Sequence, residues 1–440
     1  MNRTHLTIFL FAALFMLSAC GSQQENIGET SITKWQNGKD GAVSLTYDDG
    51  TINQFRKALP IMNELNFNAT FFINTGKISG SQYHGKFIGR SVKQVIEETA
   101  TIPTNQDNFF ERYSAIRNLD LKGLSDAYKR AGGLFDAGNN EEAYKKLDTL
   151  YKKVRNDEFP PIRTNDGNDR NTVSWDDIRS YANQGHEFAS HMITHPYLAA
   201  LDEANILYEL KKSREEILNQ LGPKYTFSTE IPYGTENERA LNYAEKFYPA
   251  LRNWMPEPFL KEIHRGEGES PVSGEKEYVQ WQRGALSDTP LPKMKSWIDT
   301  TAAQDNLWLV LVFHGVDGIG WEPLSSDLLR KYFRYIKSKE DDLWVATFGD
   351  VTKYIRERMN ATHNTNREDG KITVTLKHSL DTTMYRVPLT LKTYLPSNWK
   401  NIQVKQGSDK KTLRPKEDKK GSYVLYQAVP NSEKIEITEL

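Results

Sequence analysis

The stretch Ala42-Val43-Ser44-Leu45-Thr46-Tyr47-Asp48-Asp49-Gly50 is a mostly apolar run that ends abruptly in two carboxylates and a glycine. Such a run predicts a buried β-strand, in which neighbouring side chains point to opposite sides. Asp48 and Asp49 therefore cannot both serve the same purpose. If one of them binds a cation, the other remains for a different task.

A second motif, Ser190-His191-Met192-Ile193-Thr194-His195, places two imidazoles four residues apart. This spacing predicts that both lie on one side of a helical turn, from which they can bind one ion. Two histidines and one aspartate, with a second aspartate beside them, are the ligands of an open catalytic metal site. The two motifs together indicate a hydrolytic or lytic metalloenzyme.

Short β-rich runs alternate with amphipathic stretches from Gly41 onward. The runs predict strands at 42–48, 69–74, 186–191, 226–231, 250–254, 307–314 and 343–347, and the amphipathic stretches predict helices at 53–65, 175–184, 202–221, 236–247, 291–303, 324–338 and 349–359. This order is typical of an α/β fold, a parallel sheet or barrel covered by helices. Catalytic residues should lie at the carboxyl ends of strands, where we find Asp48, Asp49, His191, Pro232 and His314.

Two further segments differ from this alternation. At about 84–172 the spacing predicts a helical insertion with helices at 124–134 and 141–154, which is either a surface hairpin or a wall or lid of the substrate cleft. Residues 371–440 predict a small all-β, sandwich-like module. This module either binds carbohydrate or serves as a structural cap.

The amino terminus predicts export. Arg3 and the apolar stretch 6–17 indicate a signal peptide over residues 1–19, too short to span a bilayer. Leu17-Ser18-Ala19-Cys20 resembles the lipobox of bacterial lipoproteins, in which the cysteine is acylated. We therefore expect Cys20 to carry a lipid, residues 20–39 to form a polar tether, and the protein to sit in the bacterial cell envelope, attached to a membrane by this anchor alone.

The 440-residue chain has a formal net charge of −1. This balance argues against nucleic acid as a partner, because a nucleic-acid-binding protein shows a basic stripe or patch.

The two motifs resemble those of a known family. Thr46-Tyr47-Asp48-Asp49-Gly50 looks like the first motif of the polysaccharide deacetylase family (carbohydrate esterase family 4), and His191-Met192-Ile193-Thr194-His195 looks like the second. The resemblance covers roughly 40–75 and 172–358. It implies a distorted (β/α) barrel, which we place at residues 40–360.

The resemblance also implies roles for individual residues. Asp49, His191 and His195 would bind a divalent metal, usually zinc in the family, and Asp48 would be the base that deprotonates metal-bound water. His314 ends an apolar run, resembles the fifth motif of the family and would be the general acid. The expected cofactor is therefore a divalent metal, with zinc as the leading candidate.

Two motifs depart from the family pattern. The third motif has an arginine two residues before Pro-Tyr-Gly, where this chain has Glu230. That arginine pairs with the base, so a carboxylate in its place predicts a raised pKa for Asp48 and Glu230. The fourth motif has acidic residues but reads Ala250-Leu251-Arg252-Asn253-Trp254 here. Arg252 is a candidate for the missing cation from the neighbouring strand.

Tyr233, Trp254 and Arg252 are our candidates for substrate contacts. In the family the backbone N–H at the position of Tyr233 is an oxyanion donor. The indoles of Trp254, Trp281 and Trp321 fall after strands or in barrel-end loops, where each either stacks on a sugar or packs in the core. The remaining histidines, including His186, are expected to be structural.

Three functions are consistent with these features. The leading one is a metal-dependent deacetylase that acts on a polysaccharide or oligosaccharide. The second is a carbohydrate lyase or dehydratase, in which Asp48 or His314 abstracts a ring proton. The third is a non-catalytic glycan-binding lipoprotein. Acetate release indicates the first, and an unsaturated sugar that absorbs ultraviolet light indicates the second.

Overall fold

The computed structural model describes residues 26–162, 173–234, 237–255, 259, 263–264 and 276–440. The expected signal peptide and Cys20 lie outside this part of the chain, and both stay predictions. Among the described residues, no helix combines the length and the apolar character that crossing a bilayer requires.

A parallel sheet forms the centre of the molecule. The described chain begins with β1 (Thr30–Ile32), which belongs to the carboxyl-terminal module, and continues with the sheet strands β2 (Gly41–Asp49), β3 (Thr70–Ile73), β4 (Glu187–Ser190), β5 (Ser228–Thr229), β6 (Ala250–Leu251), β7 (Ile263–His264), β8 (Val279–Gly284), β9 (Leu307–Phe313) and β10 (Leu343–Val345). Their order is β6-β5-β4-β3-β2-β9-β8-β7, and β10 pairs with the start of β2. The sheet curls into the distorted (β/α) barrel that the sequence predicted.

Helices cover this sheet and build the insertion. They are α1 (Leu59–Glu64), α2 (Val92–Glu98), α3 (Phe109–Ile116), α4 (Leu124–Asp136), α5 (Asn140–Arg155), α6 (Trp175–Asn183), α7 (Glu203–Leu221), α8 (Glu238–Ala244), α9 (Leu291–Ala302), α10 (Ser326–Lys337) and α11 (Phe348–Asn360). Ser174, Ser325 and Thr347 start α6, α10 and α11, because each side chain accepts a hydrogen bond from the backbone N–H three residues later.

Strand β2 separates its side chains between two environments. Leu45 and Tyr47 are fully buried in a cluster with Ile61 of α1 and other residues of the covering helices. Thr46 and Asp48 point to the other side of the strand, where both bond to Arg252. Each buried apolar side chain of this kind stabilises the fold by about 1.5–3 kcal/mol. The outer face of β2 therefore fixes the strand, and the inner face supplies polar groups to the barrel.

The insertion is a helical unit whose buried apolar side chains join those of the barrel in one cluster. Helices α4 and α5 form the predicted hairpin, whereas α2 and α3 were not predicted. Phe109 and Leu147 of the insertion share a buried cluster with Leu198 and Leu210 of the barrel. The insertion therefore packs directly on the barrel near the chain that carries the histidine motif.

The carboxyl-terminal module consists of two antiparallel sheets. Its strands are β1, β11 (Thr362–Glu368), β12 (Lys371–Lys377), β13 (Leu389–Tyr394), β14 (Ile402–Gln406), β15 (Asp409–Leu413), β16 (Lys416–Asp418), β17 (Gly421–Ala428) and β18 (Ile435–Glu439). The orders are β1-β13-β17-β16 and β11-β12-β18-β14-β15. Apolar side chains of both sheets share one core, so the module is the sandwich that the sequence predicted.

The four edge strands of the two module sheets, β1, β11, β15 and β16, lie where the sequence did not predict strands, and β1 and β11 show the reason. Residues 30–32, which we placed in the tether, pair with β13, and Thr30 lies 2.9 Å from Thr393 between their hydroxyl oxygens. Strand β11 is exposed along most of its length and is held by pairing with β12. Backbone pairing, which leaves no apolar pattern in the sequence, defines both strands.

Helix α11 joins the module to the barrel. Arg356 donates to the backbone oxygen of Pro249 and to the hydroxyl of Tyr385, at 2.7 and 3.0 Å. Glu357 accepts a hydrogen bond from the backbone N–H of Val387 at 2.8 Å. These buried contacts agree with a structural cap, while carbohydrate binding by the module stays a prediction.

Candidate active site

The end of β2 gives its two carboxylates to different partners. Asp48 is 3% exposed and faces Arg252, whereas Asp49 turns toward His191 and His195. Asp49 and Gly50 have φ angles of 76° and 68°, in the left-handed region that aspartate tolerates better than most residues. The chain therefore leaves the strand sharply at this point, and the two carboxylates belong to two halves of one site.

The metal half consists of Asp49, His191 and His195. One ligand atom from each of these residues lies within 4.8 Å of the other two. The Nε2 atoms of His195 and His191 are 3.2 and 3.9 Å from Oδ1 of Asp49. Two imidazoles and a carboxylate at this spacing fit a divalent metal that keeps an open coordination position.

The two histidines do not converge through a helical turn, so that prediction was wrong. Met192 and His195 have φ angles of 65° and 60°, which an α-helix does not contain. A non-helical turn directly after β4 brings both rings together, with centroids 4.7 Å apart. A spacing of four residues is compatible with either conformation, and the local sequence does not distinguish them.

Both imidazoles of the metal half are neutral at pH 7. Burial lowers the pKa of His191 to about 4, and burial together with the neighbouring His191 lowers the pKa of His195 to about 3. Nδ1 of His191 lies 3.0 Å from the backbone oxygen of Glu230, which assigns the proton to Nδ1 and leaves Nε2 for a metal. Neutral imidazoles are the form that binds metal.

The base half consists of Asp48, Arg252 and Glu230. Arg252 donates to both carboxylate oxygens of Asp48, at 2.7 Å each, and to the hydroxyl of Thr46 at 3.0 Å. Burial alone would raise the pKa of Asp48, but the charge and hydrogen bonds of Arg252, with smaller contributions from His191 and His314, hold it below its ordinary value. The expected rise in this pKa was therefore wrong.

Arg252 acts beneath the site and not in the substrate cleft. It is 4% exposed, and its guanidinium also lies 3.0 Å from Oε1 of Glu230, to which Asn253 donates at 2.8 Å. The side chains of Gln280 and Gln282 both donate to the backbone oxygen of Arg252 at 2.7 Å. Our assignment of Arg252 as a substrate-binding residue is therefore corrected: it positions the base.

His314 follows β9 and lies next to Asp48. Its Nε2 is 3.5 Å from Oδ2 of Asp48, and its backbone oxygen accepts a hydrogen bond from Gln54 at 2.8 Å. Trp321 meets the imidazole edge-on, with ring centroids 4.7 Å apart. A Cβ on Gly315 would approach backbone oxygens of this loop to 2.8 Å, so glycine permits the fold that places Trp321 there.

Exposed aromatic rings border the site. Tyr233 is 41% exposed, stacks on Tyr197 with centroids 3.7 Å apart, and meets the ring of His195 at 4.6 Å. Trp321 and Trp254 are 58% and 40% exposed. Trp281 is 1% exposed in the core, the second of the two alternatives that the sequence left for it.

Several site residues were missed from the sequence. Gln280 and Gln282 lie on β8, whose mixed polar pattern did not predict a strand. Lys77 lies beyond the carboxyl end of β3; burial lowers its pKa, and the charge of Asp49 opposes that shift. Its place after a predicted strand was a usable signal. His186 has the structural role expected for it, since its Nδ1 accepts from the backbone N–H of Ala69 at 3.2 Å.

The insertion supports the aromatic border. A Cβ on Gly132 of α4 would come within 2.9 Å of the Tyr197 ring, so this glycine lets α4 pack against it. Tyr197 in turn stacks on Tyr233. The insertion therefore contributes to a wall of the site, in addition to forming the predicted hairpin.

Comparisons with known proteins agree with the motifs. Residues 36–101 and 127–248 match the polysaccharide deacetylase family model. The match includes Asp48, Asp49, His191 and His195 and ends before Arg252. The chain is also 26% identical over 278 residues to a gellan lyase from a Bacillus species, an alignment that covers 59% of this chain and 11% of that protein. The chain thus matches about a ninth of the length of this curated relative.

Two solved structures of family 4 carbohydrate esterases are among the similar folds. The enzyme from Bacillus anthracis is 14% identical, with a TM-score of 0.34, and the alignment covers 74% of this chain and 86% of that one. The enzyme from Streptomyces lividans, in complex with acetate, is 12% identical, with a TM-score of 0.32 and coverage of 69% and 91%.

Proposed function

We propose that this chain, which matches the polysaccharide deacetylase family model over residues 36–101 and 127–248, is a metal-dependent hydrolase that removes acetyl groups from a polysaccharide or oligosaccharide. The observation that carries the proposal is the pairing of the two halves. Three ligand groups within 4.8 Å of one another lie next to a buried carboxylate that Arg252 keeps ionised. Such a site combines a Lewis acid with a general base.

Asp49, His191 and His195 would hold the cation. When bound, a divalent cation lowers the pKa of water and polarises an acyl oxygen. Imidazole and carboxylate ligands suit zinc, the ion we propose, and are also compatible with cobalt, nickel and manganese.

Asp48 and His314 would move the protons. Asp48 accepts a proton from the attacking water, which is favourable because its carboxylate is ionised at neutral pH. His314 donates a proton to the leaving oxygen or nitrogen of the sugar. The 3.5 Å between Nε2 of His314 and Oδ2 of Asp48 then allows the proton to pass from the base back to the acid. One water is consumed, and one acetate is released.

Substrate contacts are proposed for the aromatic border. Tyr233 and Trp321 present exposed rings on two sides of the site, where a sugar ring can stack. The backbone N–H of Tyr233 is the proposed oxyanion donor. Trp254 is exposed, and its indole N–H donates to Glu245. It is a more peripheral candidate.

The place of action is proposed from the sequence alone. The motif at Cys20 supports a lipid anchor, which would hold the barrel in the bacterial cell envelope, close to a membrane. Metabolic labelling with a fatty-acid analogue tests this. Label that disappears in Cys20→Ala supports the anchor, and label that persists contradicts it.

A lyase is the second candidate, because the chain is similar over 278 residues to a protein named gellan lyase. In that reaction Asp48 or His314 would abstract a ring proton from a uronic acid whose carboxylate is bound by the cation. Elimination would then release the next sugar and leave a double bond. No water enters the products.

The experiment that separates these functions measures two products in one sample. Metal-loaded protein is incubated with acetylated glycans and with uronate-containing glycans, and both acetate and new ultraviolet absorbance are recorded. Acetate release that is lost in Asp48→Asn and His191→Ala, and kept in His186→Gln, supports the proposal. Absorbance without acetate moves the protein to the lyases. Glycan binding with neither product makes it a binding protein.

A further inference from the structure

The turn that carries the two metal-half histidines requires an external constraint. We call residues 191–195 the ligand loop. Met192 and His195 adopt left-handed φ angles of 65° and 60°, a conformation that non-glycine residues seldom adopt unless surrounding contacts impose it. The geometry of the metal half therefore depends on whatever holds this loop.

A single buried carboxylate holds the middle of the ligand loop. Oε2 of Glu209 on α7 accepts the backbone N–H groups of Ile193 and Thr194, at 2.8 and 3.1 Å. Oε1 of Glu209 accepts the hydroxyl of Thr194. The opposite edge of the loop is also hydrogen-bonded. There the backbone N–H of Thr75 donates to the backbone oxygen of Met192 at 3.0 Å. The loop is thus fixed on both sides.

The charge partner of this carboxylate comes from the insertion. Arg117, at the end of α3, donates to Oε1 of Glu209 at 2.7 Å and also bonds to the hydroxyl of Thr194. The two side chains are 7% and 2% exposed. A buried carboxylate without a cationic partner is strongly unfavourable, so the ion pair with Arg117 stabilises Glu209 in this position.

We propose that Glu209 and Arg117 are positioning residues for the metal half, and that the insertion thereby raises the metal affinity of the barrel. Neither residue is within the ligand set; they act through the backbone of Ile193 and Thr194. The inference rests on the proposed metal-binding role of His191 and His195. It assigns the insertion a second task, besides its contribution to the aromatic border.

If Glu209 and Arg117 formed a purely structural ion pair, the expected result would differ. Such a pair affects the stability of the chain, but not the metal affinity of folded protein. Arg112 provides a matched control, because it also lies on α3, is fully buried and pairs with Glu98 at 3.0 Å. Its side-chain partners Glu98, Thr104 and Asp148 lie within the insertion.

The experiment is a metal titration of the full chain, freed of metal by a chelator. Zn²⁺ affinity is measured by calorimetry, and the visible spectrum of the Co²⁺ form reports the ligand geometry. The variants are Glu209→Gln, Arg117→Met, Arg117→Lys and Arg112→Met, each checked for folding by near-ultraviolet circular dichroism. We expect Glu209→Gln and Arg117→Met to bind Zn²⁺ about 10- to 100-fold more weakly, as do other changes to groups that orient metal ligands. Arg117→Lys should recover part of the loss.

Each outcome decides the inference. Arg112→Met within about twofold of the wild type, together with the expected losses, supports it. Wild-type affinity and spectrum in Glu209→Gln or Arg117→Met, or an equal loss in Arg112→Met, overturn it and leave the proposed function intact. A wild-type chain that binds no metal overturns the proposed function itself. If Glu209→Gln does not fold, Thr194→Val gives the same test with a smaller expected loss.

Discussion

The two halves of the site reach their geometry in different ways. In the metal half, His191 and His195 come from one short loop and Asp49 from the end of β2. The base half combines residues from distant parts of the chain. Asp48 lies near the end of β2, whereas Arg252 directly follows β6. The metal half matches the family motifs, and the base half departs from them.

This difference shows which property each half must keep. Metal ligands have to converge on one point, so their positions are tightly constrained. A cation for a buried carboxylate only has to reach it. Because β5, which precedes Glu230, pairs with β6, which precedes Arg252, moving the arginine from one to the other shifts it by one strand spacing of about 4.8 Å, which a long side chain can span. Arg252 therefore replaces the arginine that the family has at position 230, and Glu230 becomes a second acceptor for it.

Arg252→Met should have the largest effect and should separate the two halves. Without the guanidinium, burial raises the pKa of Asp48, so the acidic limb of the pH–rate profile moves to higher pH. We expect kcat/KM at pH 7 to fall by about 10²- to 10³-fold and the chain to lose about 3–5 kcal/mol of stability. The Zn²⁺ affinity should stay within about threefold, because the metal half is held independently.

Arg356→Met is the control for this prediction, since Arg356 is also a buried arginine but belongs to the interface with the module. It should lower stability without moving the pH profile. A wild-type pH profile in Arg252→Met would show that the base half does not depend on this cation.

The double exchange Glu230→Arg with Arg252→Glu tests whether reach alone matters. It returns the arginine to the position that the family uses. We expect Arg252→Glu alone to be nearly inactive and the exchanged pair to recover at least about tenfold in kcat/KM. The comparison is a double-mutant cycle on steady-state rates. If the loss in kcat/KM of the exchanged pair equals the product of the losses of the two single variants, the two positions are independent. The base half would then require the arginine at position 252.

Trp321→Ala should have a smaller effect, limited to substrate binding. The indole is exposed beside His314, and losing a sugar-stacking surface raises KM by about tenfold while kcat changes less. Steady-state kinetics on a soluble oligosaccharide measure this. Trp281→Phe, a change within the core, should leave KM unaltered. An unchanged KM in Trp321→Ala would remove this ring from the substrate cleft.

Glu357→Gln should have the smallest effect, a change in how stability depends on pH. It tests a buried carboxylate whose pKa is raised, which is the shift that Arg252 prevents at Asp48. Glu357 is fully buried beside His378, without an arginine, and burial raises its pKa to about 7. This value lies above that of the unfolded chain, so the stability that the group contributes is complete below about pH 4.5 and is lost as the pH rises through about 7.

Thermal unfolding between pH 5 and 8 measures this effect. The wild type should lose up to about 3 kcal/mol over the range because of Glu357, and the variant should lose correspondingly less. Glu436→Gln, at an exposed pair with Lys371, should leave the pH dependence unchanged. Parallel curves for Glu357→Gln and the wild type would contradict the raised pKa.

Much of the barrel was predictable because several of its strands are mainly apolar. Helices α6, α7 and α9 and strands β2, β3 and β9 lie close to their predicted bounds. Strand β8 was missed, because Gln280, Gln282 and Arg283 interrupt its apolar pattern, although all three are buried. Their burial depends on partners that no local pattern indicates, such as the backbone oxygen of Arg252.

The sequence by itself determined the metal half and the separation of the two aspartates. Alternation along a strand is a local property, and it requires Asp48 and Asp49 to face different partners. The tertiary structure alone decided that Arg252 neutralises Asp48, that Arg117 of the insertion reaches Glu209, and that Trp281 is buried. These are electrostatic and packing contacts between residues far apart in the chain, and they depend on distances that only the folded barrel fixes.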